Sequence, residues 1–471
     1  MQKNRYAVLL DFGSTRTKVA VASLSERRML FTGSAASTVK TDARVALKEC
    51  FEMAKSVLSA SEFGSAEKLA SSSAAGGLRI GVIGLSESLS LKAGRNAAYG
   101  SGGRIVATAC GLIKESDIAG FASKNIEIIL FCGGYENGSE KALLRNASVL
   151  AESGLNIPVI YAGNSFAAVR VRSILAAGGK ECFLSDNIIP AVGELNTAMA
   201  EQTIRDIFLG RIINMKGLSG VREMTDGILM PTPAAVLAAG RLLSCGTSAE
   251  KGVGDLMIFD VGGATTDVHS FSEQSPFEGA RLTGAAESFA KRTVEGDLGL
   301  RESSGHTAEL CGISRVALAS GTDEAFVREG VKKRVEDNSY LPSNSDEHAL
   351  DEALASFCVS AASRRHAGSI IHSASSVCKL MQRGKNLRSV RCVIGTGGPL
   401  INNRRPESAL KLSLRKEAEK DILLPDRADL FLDKSYVLYA AGLLAEREPD
   451  AALAMMKKSL CPTGDSGVSA L

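Results

Sequence analysis

DLMIFDVGGATTDVHSF, residues 255–271, reads as an apolar strand that ends in the acid Asp260, turns on glycines and hydroxyls, and resumes as a second strand. The N-terminal stretch YAVLLDFGSTRTKVAVASL, residues 6–24, has the same design: a buried-strand pattern, the acid Asp11, a glycine, hydroxyls and a second strand. Each predicts a β-hairpin whose turn carries polar atoms. One such turn is an ordinary Asp-Gly turn by pattern alone; two in one chain point to a repeated design with a shared purpose.

Phosphate chemistry gives that purpose a physical reason. At the first turn Gly13 lets the backbone approach a phosphate, Ser14 and Thr15 donate hydrogen bonds beside main-chain N–H groups, and Lys18 supplies a compact positive charge. The second turn repeats this with Gly262, Gly263, Ala264, Thr265 and Thr266, followed by Asp267. Two such hairpins facing each other would clamp the β- and γ-phosphates of a nucleotide, with Asp11 and Asp260 approaching a hydrated Mg²⁺, an ion held by few carboxylates. Asp267 or Asp260 would orient the attacking water, and the residues do not decide between them. A third strand, VIGTGGPL (393–400), ends in Gly395, Gly397 and Gly398, where a flat adenine could lie on backbone. The sequence has no G-x-x-x-x-G-K-[ST] loop, so the nucleotide would be handled by two hairpins.

Between the hairpins the rhythm changes. From Leu78 to about Val221, apolar strands alternate with single helices, the sequence form of parallel βαβ units, and an inserted α/β domain is expected. The expected division is residues 1–77 for the first-lobe hairpin and helix and 78–221 for the insertion. Residues 222–254 then form a connecting helix region, 255–460 the second lobe with the adenosine motif, and 461–471 a frayed tail. The region after the second hairpin reads as mainly helical, broken by the polar loop NSYLPSNSDEH (338–348), and SYVLYAAGLLAERE is the last helix expected.

Composition sets the outer limits. The 471 residues carry 55 Lys and Arg against 52 Asp and Glu, a balance of +3 that argues against nucleic acid or a polybasic membrane contact. Ten well-separated cysteines form no C-x-x-C pair and suggest reduced thiols in a cytoplasm, and no apolar run reaches the ~20 residues of a membrane span.

The motifs DFGSTRTK (11–18), FDVGGATTD (259–267) and VIGTGGPL (393–400) resemble the phosphate and adenosine motifs of the actin, Hsp70 and sugar-kinase ATPases. That resemblance implies a two-lobed, ribonuclease H-like α/β fold with Mg·ATP between lobes of related topology. The strings SSAAGGL, LRNASVLA, IYAGN, NIIPAVGELN, MPTPAAVL, GVGDLMIFDVGGATTDVHS and KRTVEGDLGLR narrow it. They are similar to the accessory L proteins of adenosylcobalamin-dependent glutamate (methylaspartate) mutase, which are not mismatch-repair proteins. The likeness runs from about Tyr6 to Leu443. It implies an ATPase that assembles or reactivates a cobalamin-dependent amino-acid mutase, with the mutase subunits as partners. One departure stands out: Gly133-Gly134-Tyr135-Glu136-Asn137-Gly138 replaces an expected GGTDGG-like loop. Two other functions share the motifs. A small-molecule kinase would need a substrate pocket beside the γ-phosphate, and a dehydratase-activator ATPase would need paired thiolates for an iron–sulfur cluster.

The remaining residues have simpler readings. Asp267-Val268-His269 resembles the start of the D-x-H-x-x-G cobalt-binding motif, but Ser272 replaces its glycine, so His269 reads as a hydrogen-bonded structural residue. The other histidines lack zinc-ligand spacing. Arg292 to Gly299, RTVEGDLG, is a nucleotide- or partner-facing loop or an acidic surface turn; Asn164 and Asn187 are turn residues. Arg364-Arg365 and Arg383 to Arg391 read as solvated helix faces.

Overall fold

The computed structural model describes residues 6–13, 16–39, 41–73, 78–213, 218, 220–373 and 379–463. Strand β1 (Tyr6–Phe12) is apolar because it is buried on both faces. Val8, Leu10 and Phe12 face one core, while Ala7 and Leu9 face another. It pairs antiparallel with β2 (Arg16–Ser23), which pairs antiparallel with β3 (Arg28–Ala36). On its other side β1 runs parallel to β4 (Glu67–Ser72). The helix Ala43–Lys55 between β3 and β4 starts at Asp42, whose carboxylate accepts from the Arg44 N–H at 2.9 Å.

Between β4 and the last strand of this sheet the chain builds a separate five-stranded parallel sheet. Its strands are β5 (Arg79–Gly84), β6 (Arg104–Cys110), β7 (Ile128–Gly133), β8 (Val159–Gly163) and β9 (Cys182–Leu184), in the order β6-β5-β7-β8-β9. Helices cross between the strands, as parallel pairing requires. The chain then returns as β10 (Ile228–Pro231), which completes the first sheet as β10-β4-β1-β2-β3.

The second lobe repeats that plan. Strands β11 (Leu256–Val261) and β12 (Thr266–Phe271) form the second hairpin. β13 (Ala280–Thr283) leaves the main sheet, and β14 (Ala290–Glu295) pairs antiparallel with β12. A small sheet, β13-β16-β15, uses β15 (Ser369–His372) and β16 (Leu380–Arg383). β17 (Cys392–Thr396) and β18 (Asp429–Leu432) then add in parallel beside β11. The order β14-β12-β11-β17-β18 has the strand directions of β3-β2-β1-β4-β10. Two lobes of one topology, each opening with a hairpin that ends in an acid, make this the two-lobed actin-like, ribonuclease H-like α/β fold.

The lobes share a core. Ala7, Leu9, Ala20 and Ala22 of the first sheet and Leu256, Ile258, Phe271 and Ile394 of the second meet the helices Thr232–Cys245, Val437–Leu444 and Pro449–Ser459 there. The last of these helices corrects the sequence reading, which ended the helices before Pro449. That proline stands in the first turn of a new helix, where its missing N–H is harmless. The tail is corrected as well: Cys461 and Pro462 form β19 against β18, and the Thr463 N–H donates to the Leu430 carbonyl at 2.9 Å.

The basic spots are only in part a solvated helix face: Arg365 is exposed near the end of the helix Ser345–His366, while Arg383 to Arg391 lie outside any helix. Arg364 reaches the Leu414 carbonyl and pairs with Glu419 at 2.8 Å. Lys385, fully buried between β16 and β17, donates to the carbonyls of Ser270, Ser288 and Phe289. Among the described residues, no helix is long and apolar enough to cross a membrane.

Candidate functional site

The two hairpins have matching turns. The Gly13 N–H donates to the Arg16 carbonyl at 3.1 Å, and the Gly262 N–H to the Thr265 carbonyl at 2.9 Å. In register, Asp11 stands opposite Lys18, and Asp260 opposite Asp267. A cation in one hairpin therefore occupies the position of an acid in the other.

Asp11 is buried, with Lys18 Nζ 3.2 Å from its Oδ2, while the Thr232 hydroxyl donates to Oδ1. Lys18 Nζ lies 4.4 Å from the centre of the Tyr436 ring. Burial pushes the Lys18 ammonium down, but Asp11 and Asp260 more than offset this and hold it above its ordinary value. Asp260 is pushed up to about 6 by burial first and by Asp267 next, against the pull of Lys18. Tyr436 has φ +52°, a left-handed conformation rare for an aromatic residue, on the wall of this site.

Three connected spaces lie between the lobes. A cavity of about 470 Å³ is lined by Asp11, Lys18, Asp260, Gly262, Gly263 and Asp267. Beside it a cavity of about 730 Å³ runs from Gly13 and Gly262–Ala264 to Gly398, Pro399, Leu341 and Pro342. A smaller one, about 200 Å³, joins Asp260 to Gly397, Asp433 and Tyr436. A polar end rich in glycine N–H groups thus opens into a slot with an apolar rim.

A model of the family described as "MutL protein" matches residues 7–460. "Protein MutL" of Clostridium tetanomorphum is 38% identical over 456 residues, 96% of this chain and 98% of that protein. The chain belongs to the MutL protein family. Among solved structures, the ethanolamine utilization protein EutJ from Carboxydothermus hydrogenoformans matches 95% of this chain and 90% of its own at 11% identity, with a TM-score of 0.25. Xylulose kinase from Bifidobacterium adolescentis matches 98% of this chain and 96% of its own at 11% identity, with a TM-score of 0.32. At these scores neither adds to the fold assignment, which stands on the repeated sheet topology.

In this MutL-family chain Asp11, Gly13, Lys18, Asp260, Gly262, Gly263, Ala264, Thr265, Asp267 and Gly398 line the spaces between the lobes. Ser14 and Thr15 lie outside the described residues. Two of the expected phosphate and adenosine contacts are not at the cavity. Thr266 is buried and donates to the Leu298 carbonyl at 3.0 Å, because alternate strand residues face opposite ways. Gly395 is buried in β17, where a β-carbon would meet Leu400, Leu410 and Leu432. Gly397 has φ +88°, and a side chain there would strike Val261 and Asp260, so it sets the spacing of the two strands.

Asp433 is the acid the sequence reading missed. It directly follows β18, while Asp11 and Asp260 stand next to last in their strands, and its carboxylate accepts from the N–H groups of Val437 at 2.6 Å and Leu438 at 3.2 Å. Burial pushes it up to about 6 despite those bonds. The signal was present in DLFLD, a short apolar strand closed by an acid, without the following glycines. The polar loop 338–348 was read only as an interruption, yet its Asn338, Leu341, Pro342 and His348 wall the larger cavity.

The TVEGDLG loop braces the second hairpin: the N–H groups of Leu300 and Arg301 donate to the carbonyls of Gly262 and Gly263, and Arg365 binds Glu295 and Asp297. The sequence reading makes His269 a hydrogen-bonded structural residue; it is buried, but its Nδ1 has no hydrogen-bond partner among the described residues, and burial holds the ring neutral. Asn164 caps the helix Ser165–Ala177. Asn187 donates to Glu136 at 2.6 Å, and Glu136 also accepts from the Ser165 N–H, so the departing loop 133–138 is tied down at the ends of β7 and β8.

Proposed function

We propose that this chain is a Mg²⁺-dependent ATPase that serves as the accessory protein of an adenosylcobalamin-dependent amino-acid mutase of the glutamate mutase type, assembling or reactivating it. The observation that carries this reading is the pair of matched hairpins, with Asp11, Lys18, Asp260 and Asp267 around one cavity, in a chain of the MutL family.

The glycine turns and Lys18 would hold the β- and γ-phosphates, and the adenosine would lie along Gly398 and Pro399 against Leu341 and Pro342. Asp11 and Asp260 suit Mg²⁺ held through water: they are hard oxygen donors, and the crowding that raises Asp260 is what a divalent cation offsets. Mg²⁺ would neutralise charge on the phosphate oxygens. Asp260 or Asp267 would orient the attacking water, while Lys18 and the hairpin N–H groups stabilise the charge that develops. Closure and reopening of the lobes about their shared helices would give the nucleotide states different affinities for the mutase. A mutase that has lost its adenosyl group keeps a damaged corrinoid, and such a cycle would open that site. Reduced cytoplasmic conditions suit the cysteines, which are unpaired among the described residues.

The test is Mg·ATP hydrolysis with and without glutamate mutase inactivated by turnover. Hydrolysis coupled to recovered mutase activity supports the reading. A stoichiometric phosphorylated small molecule, found on screening sugars, short carboxylic acids and amino acids, would replace it with a kinase.

A further inference from the structure

KRTVEGDLGLR, residues 291–301, runs behind the second phosphate hairpin, and its Arg292 touches two domains at once. β14 pairs with β12 so that Arg292 stands opposite His269 and Val294 opposite Asp267. The buried Arg292 guanidinium gives Nε to Asp267 Oδ1 at 2.8 Å and Nη1 to the carbonyls of Tyr99 and Gly103, each at 3.1 Å. Those carbonyls flank the turn that leads from the inserted domain's helix Lys92–Gly100 into β6. The planar guanidinium fork serves a carboxylate and two carbonyls together.

The next residue on that turn is Arg104. It lines the 470 Å³ cavity with Asp11, Lys18, Asp260 and Asp267, and its guanidinium has no ion-pair partner among the described residues. An unpaired cation on the lining of the cavity that holds both hairpin turns is placed for phosphate oxygens. The inserted domain meets the second lobe elsewhere too: Lys92 pairs with Glu287 at 2.6 Å, and the Ala285 N–H donates to the Ser88 carbonyl at 2.9 Å. A cavity of about 570 Å³, lined by Arg95, Val106, Thr108, Thr293 and Glu295 among others, lies beside these contacts.

We infer that the inserted domain supplies Arg104 to the phosphate site as its charge-stabilising cation, and that Arg292 is the positioning residue that fixes Arg104 relative to Asp267. The inference rests on the ATPase reading and deepens it by naming a further charge-stabilising residue of the same site. In the hydrolytic step a water oxygen bonds to the γ-phosphorus, and the bond to the β–γ bridging oxygen breaks with its electron pair left on ADP. The water's proton passes to a site carboxylate or to the departing phosphate. Arg104 offsets the charge gathering on the γ and bridging oxygens.

The test measures ATP binding by calorimetry and turnover by phosphate release in the full chain and in Arg104→Ala, Arg104→Lys and Arg292→Gln. Arg104 is exposed at the start of β6, so its replacement spares the core. Arg104→Ala is expected to bind ATP within about threefold of the parent while kcat falls about 100-fold, and added guanidinium should restore part of that loss. Arg104→Lys should recover little, because an ammonium lacks the fork. Arg292→Gln should lower kcat about tenfold with ATP affinity kept, a split that simple loss of packing would not give; if it melts early, the Arg104 variants carry the test. Parental kcat in Arg104→Ala, or weaker ATP binding at unchanged kcat, overturns the inference and leaves the ATPase reading standing. A parent that neither binds nor hydrolyses ATP removes both.

Discussion

Gly442 lies so close to Ala235 that a β-carbon on it would be driven into the Ala235 carbonyl oxygen. Gly442 belongs to the helix after β18 and Ala235 to the helix after β10, the corresponding strands of the two lobes. The crossing of these helices is a contact between the two lobes, and its tightness depends on one missing side chain.

Gly442→Val should therefore cost ~2–3 kcal/mol of stability, the usual penalty of overpacking, with the backbone contact placing it at the upper end. Urea unfolding followed by circular dichroism would show the midpoint falling; an unchanged midpoint would mean the helices part without cost.

Asp11→Ala and Asp260→Ala should each abolish Mg²⁺-dependent ATP turnover while far-ultraviolet circular dichroism stays parental. Asp11→Ala also strips Lys18 of its carboxylate at 3.2 Å, so the phosphate cation loses its anchor together with the metal site. Parental turnover in both variants would remove the metal role.

The pH dependence follows from Asp260 and Asp433, both raised to about 6 from an ordinary value near 3.8. A carboxyl raised on folding binds its proton more tightly in the native state. Its stabilising contribution is complete below about pH 4 and is lost as pH rises through about 6. Asp260→Asn should accordingly match the parent at pH 4 and exceed it at pH 7.5 by ~1–2 kcal/mol, discounted for the open cleft from ~1.4 kcal/mol per pKa unit. Mg·ATP should narrow that gap in the parent by offsetting the carboxylate charge. Thermal melts across this range, with and without Mg·ATP, would show it, and a gap that does not grow with pH would refute it.

Gly263→Val should weaken ATP binding at least tenfold, ~1.4 kcal/mol. A β-carbon at Gly263 already stands 3.2 Å from Arg301 Cβ, so two further methyl groups must turn into the phosphate space or push the hairpin from its brace. Calorimetric titration would read it; parental affinity would put the phosphates elsewhere.

The sequence by itself determined both acid-and-glycine hairpins and the parallel inserted sheet, because each is written in short-range pattern: apolar runs, an acid, glycines, and strands spaced by single helices. Its errors were local too. Pro449 hid a helix by resembling a terminator, and Thr266 and Gly395 were assigned to the site by adjacency, although strand alternation and burial turn them away from it. Only the tertiary structure decided that Asp433 joins Asp260 and that loop 338–348 walls the cavity. It also placed Arg292 so as to tie Asp267 to the turn carrying Arg104. These residues lie in separate segments of the chain with no common motif. What joins them is the packing of two lobes and an insertion around buried charge, which must find partners wherever the fold brings them.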